Sequence, residues 1–136
     1  ILCGTFGKDP EIQAFLIAVQ AILRRRRERI LVVVGADLAH VGKRFGDKFE
    51  IDDDILQAVE ARDGEDLEYA LQIDADGFFA SVMKDKNERR VCGLHCIYAG
   101  LKSVEGIVSQ GELLHYGSAP DPFSGAVSFA TLMASV

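Results

Sequence analysis

Two short stretches carry the side chains that could do chemistry. In VVVGADLAHVG, residues 32–42, an aliphatic run ends at an acid, Asp37, and a histidine, His40, follows three positions later. An imidazole can ligate a metal or move a proton near neutral pH, and a nearby carboxylate can orient it. In RRVCGLHC, residues 89–96, Cys92 follows two arginines and opens an apolar helical period. Unpaired N–H groups at a helix start favour a thiolate, and Arg89 and Arg90 push the same way. Cys92 therefore reads as a soft metal ligand or redox thiol, or else as a small, inert, buried thiol. For Asp37 and His40 the plain alternative is a turn cap and a ring bonded to a loop carbonyl. Spacing alone leaves both pairs open.

Other chemistry-bearing residues have simpler readings. Asp52, Asp53 and Asp54 could suggest a cation site, but three splayed neighbours do not converge, and acids suit the positive end of a helix. Arg24 to Arg27 suit the negative end of the preceding helix more than an anion site. His115, between Leu114 and Tyr116, reads as structural. Cys92 and Cys96 lack the second ligand pair of a zinc knuckle.

The elements that must position these residues follow from periodicity. ILCGTF at 1–6 reads as a buried strand. Asp9 then Pro10 is an N-cap followed by a first-turn proline, and Ile12, Phe15, Leu16, Val19, Ile22 and Leu23 keep helical spacing to about residue 28. RILVVVGA at 29–36 reads as a strand covered on both faces. Strand, helix and strand in succession predict a right-handed parallel βαβ unit, so the fold class is α/β. In open α/β sheets ligands gather beyond the carboxyl ends of strands, where Asp37 and His40 stand. Residues 37–50 read as a loop, and short helices are expected at about 51–59, near 67–71 and around 78–83. The charged run KDKNERR, 84–90, is expected to be a solvated link. A helix from Cys92 to Val104 carries a face of small residues, Cys92, Cys96, Ala99, Gly100 and Ser103, suited to close approach. Strands at 111–119 and 125–136, joined by a Pro-containing turn, complete the sheet.

The chain has 136 residues, about one domain's worth. Its net charge is −6, from 15 basic and 21 acidic residues. That balance argues against nucleic acid as a partner, since phosphate binding needs a basic surface. No apolar stretch is long enough to span a bilayer. The odd cysteine count, three, and the lack of a secretory signal point to reduced thiols in a cytoplasm. Because the sequence starts at Ile1 inside an apolar run, it is expected to be a piece of a longer protein.

Together the two stretches resemble a known family. VVVGADLAHVGKRFGD resembles the strand and Asp-x-x-His-x-Gly segment of the Memo family, and RRVCGLHCIYAGL its Cys-Gly helix. ILCGTF and GSAPDPFSGAVSFATLMA resemble its strands, and the branch most similar is AmmeMemoRadiSam system protein B. The resemblance covers essentially the whole chain but only the C-terminal half of a Memo protein. It implies a fold like that of the class III extradiol dioxygenases and a pocket associated with iron or copper. Carried over by motif, Cys92 and His40 would stand at metal-ligand positions, with Asp37 and His40 in acid–base or supporting roles. The remaining histidines would come from the N-terminal half. The expected activity is metal-dependent redox chemistry on a small molecule. The alternative is a non-catalytic peptide-binding module or scaffold reusing the pocket. The branch's name makes a radical SAM protein an expected partner. No residue indicates an oligomeric state.

Overall fold

The computed structural model describes residues 9–26 and 30–135. Its elements in chain order are α1 (Pro10–Arg26), β1 (His40–Gly42), α2 (Asp53–Leu71), α3 (Ala75–Met83), α4 (Leu94–Val104), β2 (Gly111–Asp121) and β3 (Gly125–Ala134). The fold class is α/β, as expected. β3 lies between β1 and β2 in a three-stranded sheet and pairs antiparallel with both. β2 and β3 form the expected C-terminal hairpin, with a bulge between Leu113 and His115.

The parallel βαβ unit is not seen. Residues 1–8 and 27–29, which include its first strand, lie outside the described residues. Residues 30–36, expected to be covered on both faces, carry no ladder, and Leu31 and Val33 are 85% and 78% exposed. A strand is defined by its hydrogen-bonding neighbour, and among the described residues this run has none.

Two helices expected between 51 and 71 are one. Asp52 caps it through the Ile55 amide, with Asp53 and Asp54 in the first turn, so the acidic triplet serves the helix end. α2 runs through Gly64 and its charged neighbours because Asp63 and Asp66 share its inward face with Val59, Leu67 and Ala70. α1 starts at the predicted cap, where Asp9 accepts from the Glu11 amide, and ends among the exposed side chains of Arg24, Arg25 and Arg26. Residues 37–50, expected as a loop, include β1 and a 3-10 turn at Lys43–Phe45.

The main core gathers Leu38, Leu67, Phe78, Val82, Val91 and Leu94 between the helices and the sheet. Phe78 is fully buried, and burial of such a side chain contributes about 2–3 kcal/mol. A second cluster joins Leu16 of α1 to Tyr98 and Ala99 of α4. A third joins Ala39 and Val41 to Val59 of α2 and Ala126 of β3. The last two clusters fix both segments that carry the candidate site.

Candidate metal centre

The segment entering β1 and the turn entering α4 lie against each other. Gly93 sits where a side chain could not: a Cβ there would come within 2.4 Å of the Asp37 carbonyl oxygen and 2.6 Å of the Ala36 Cβ. Its amide donates to the Asp37 carbonyl at 3.1 Å. Further along, a Cβ on Gly100 would meet Val34 Cγ2 at 2.2 Å. Gly100, on the small-residue face of α4, thus makes the close approach expected there, and its partner is the Val34 side chain.

This approach brings Asp37, His40 and Cys92 together. One donor atom from each lies within 4.8 Å of the other two. His40 Nδ1 is 3.2 Å from the Leu38 carbonyl oxygen. A carbonyl only accepts, so in the neutral ring Nδ1 carries the proton and Nε2 keeps its lone pair. Nε2 faces Asp37 Oδ2 at 3.9 Å. The ring packs edge-on against Phe45, with centroids 5.1 Å apart. The His40 side chain is 17% exposed and that of Asp37 59%, so the cluster opens to solvent on the carboxylate side.

The thiol differs from its expected state. Cys92 precedes α4 by two residues and is solvent-exposed, yet desolvation of its sulfur and the negative charge of Asp37 raise its pKa. Hydrogen bonds from the backbone at Asp37 and Cys92 pull the other way without winning. Neither Arg89 nor Arg90 helps, because both are engaged elsewhere. Arg89 is buried and its guanidinium pairs with Asp63 and Asp66 of α2. Arg90 bonds Asp47 at 2.7 and 3.1 Å and holds that carboxyl below the usual carboxylate range. The expectation of a solvated 84–90 link is therefore corrected at its end: the two arginines are structural.

These supporting residues escaped the sequence reading. A signal existed for α2, where Asp63 and Asp66 interrupt an inward helical stripe and so need a buried partner. Nothing local marked Arg89 as that partner. His115 lies in β2, with its ring 6.1 Å from that of Phe129, away from the cluster.

The donor set fits a transition metal. Metal–nitrogen and metal–sulfur bonds of about 2.0–2.3 Å place tetrahedral ligands roughly 3.5 Å apart, a contraction of about 1 Å from the present spread. Soft thiolate and imidazole suit copper, iron or zinc, whereas magnesium and calcium require oxygen. A separate apolar cleft of about 520 Å³ lies between the 30–36 run, α4 and the end of β3, lined by Leu31, Val34, Leu101 and Leu132 among others. None of the three donor residues lines it. Among the described residues, no helix is long and apolar enough to cross a membrane.

Fold and site together define an α/β protein with a candidate ligand group for a transition metal. The Memo-like protein family model matches residues 7–133, and the chain belongs to that family. No curated protein matches it.

Proposed function

We propose that this Memo-like protein holds iron or copper through Cys92 Sγ and His40 Nε2, with Asp37 beside them, for metal-dependent redox chemistry. The convergence of the three donors within 4.8 Å carries the reading. When bound, the metal supplies Lewis acidity and electron transfer. The chain's own residues prepare the site. The Leu38 carbonyl holds the His40 proton on Nδ1, so the lone pair at Nε2 faces the cluster. Phe45 fixes the ring plane. Asp37, on the solvent side, can accept the proton that the Cys92 thiol gives up on ligation and pass it to water.

Two ligands and a carboxylate leave positions open. In this reading the chain is the C-terminal half of a Memo-like domain, and histidines from a segment preceding Ile1 complete the site. Membership of the AmmeMemoRadiSam system protein B branch, a dioxygenase-like fold, a small-molecule substrate, a radical SAM partner and a cytoplasmic setting belong to the same proposal. Support comes from the two motif stretches and the family match.

The test is anaerobic reconstitution of the full-length protein with ferrous or cuprous ion, followed by metal analysis. The wild type is expected to retain the ion through gel filtration, and Cys92→Ser to lose most of it. Absence of metal in the wild type, or full retention by Cys92→Ser, refutes the reading. A second reading, binding of an apolar peptide, has the 520 Å³ cleft in its favour. Chelation abolishes metal-dependent function and leaves peptide binding untouched.

A further inference from the structure

Both segments that form the site are tied to one buried ion cluster. The Asp63 carboxylate lies between Arg89, Ser128 of β3 and Tyr116 of β2, and Asp66 takes the other arm of Arg89 and the Ser81 hydroxyl. Arg89 also acts through its backbone: its carbonyl accepts the His40 amide at 2.7 Å. Ser128 acts on the other flank. Its hydroxyl accepts the Ala39 amide at 2.9 Å while donating to Asp63. Its carbonyl accepts the Leu38 amide, and its amide donates to the Ala39 carbonyl, each at 3.0 Å.

The consecutive amides of Leu38, Ala39 and His40 are therefore held by two residues that both contact Asp63. The turn that carries Arg89 continues to Cys92. Its next residue, Arg90, adopts a left-handed backbone at φ +52°. One arginine side chain goes inward to α2, while the other goes to Asp47 and, at 3.2 Å, to the His40 carbonyl.

We infer that the Asp63–Arg89 pair, with Ser128, is the positioning device of the site: it sets the separation between the 37–40 segment and Cys92. The inference rests on the proposed role of the cluster. A buried ion pair adds little net stability over apolar residues of similar volume, so its use here is to fix register. Asp63, Arg89 and Ser128 are positioning residues; none is among the three donors.

The test reads proximity without metal. In full-length protein carrying Asp37→Cys, Cys3→Ser and Cys96→Ser, the disulfide between Cys92 and the introduced thiol is equilibrated against glutathione, which gives their effective concentration. The charge-free combination Asp63→Asn/Asp66→Asn/Arg89→Met is expected to lower that value about tenfold or more, and Ser128→Ala about threefold, a loss of register that slow closure of a long loop alone would not give. Urea melts establish which variants fold. A folded charge-free variant within twofold of its parent overturns the inference. Should that variant not fold, Ser128→Ala decides, and an unchanged value there overturns it equally. Cobalt(II) titration of protein with Asp37 and all cysteines intact runs in parallel. Absence of a thiolate-to-cobalt band refutes the metal reading, while the disulfide comparison still decides positioning.

Discussion

Gly93→Ala is the sharpest test of how the site is assembled. Gly93 has φ −74° and ψ −4°, ordinary right-handed values, so alanine meets no backbone strain there. The obstacle is contact. The new Cβ would lie 2.4 Å from the Asp37 carbonyl oxygen and 2.6 Å from the Ala36 Cβ, against about 3.5–4 Å for an unstrained carbon pair. Both neighbours are close to the backbone and have no flexible end to move aside. The two segments must separate by about 1 Å, at about 1–3 kcal/mol for overpacking. That movement also stretches the 3.1 Å bond from Gly93 to Asp37, worth about 1 kcal/mol. The expected loss is about 2–4 kcal/mol from a total of about 5–15. In urea, with m about 2 kcal/mol/M, the midpoint falls by about 1–2 M. Gly64→Ala is the internal control. Gly64 lies inside α2 with nothing within 4 Å of its added Cβ, so alanine there gains about 0.5–1 kcal/mol from helix propensity. The two substitutions should move stability in opposite directions. A Gly93→Ala protein that melts at or above the wild-type midpoint refutes the packing described for the site.

Further outcomes follow from the same contacts. Arg89→Met leaves Asp63 and Asp66 buried without their cation and is expected to cost about 3–5 kcal/mol in urea melts; a loss under 1 kcal/mol contradicts the ion cluster. Asp47 has a lowered pKa, chiefly through its bond to Arg90. Its folded pKa lies below its unfolded one, so its contribution is complete above the ordinary carboxylate range and is lost as pH falls through the lowered value. Stability measured from pH 5 down to pH 2 should fall less steeply in Asp47→Asn than in the wild type. The Cys92 thiol, raised by desolvation and then by Asp37, should alkylate slowly at pH 8 in metal-free protein, and Asp37→Asn should speed it; a fast wild-type rate with no response to Asp37→Asn counts against the assignment.

Much of the local structure was written in the chain. Asp9, Pro10 and a six-residue apolar period located α1, and the stretches 111–119 and 125–136, with a Pro-containing turn between them, located the two C-terminal strands. The small-residue face Cys92, Cys96, Ala99, Gly100 and Ser103 forecast close approach, and Gly100 shows it. These features depend on nearest neighbours along the sequence, which set caps, periods and steric room. The motifs also named Asp37, His40 and Cys92, whose donors do converge.

What local pattern could not decide was which charges would be buried. EARDGED at 60–66 and KNERR at 86–90 look alike on paper, polar runs suited to water. Folding sends Asp63, Asp66 and Arg89 inward and leaves Glu60, Glu65 and Glu88 outside. Arg89 lies 26 residues from Asp63, and Ser128 lies 65 from it. Whether a charge is solvated or paired depends on what tertiary packing brings within a few ångströms, because Coulomb attraction and desolvation act through space rather than along the chain. The sequence determined α1, α3, α4, the C-terminal hairpin and the three candidate donors. Tertiary structure alone decided their separation, the raised pKa of Cys92 and the buried pair that anchors both sides of the cluster.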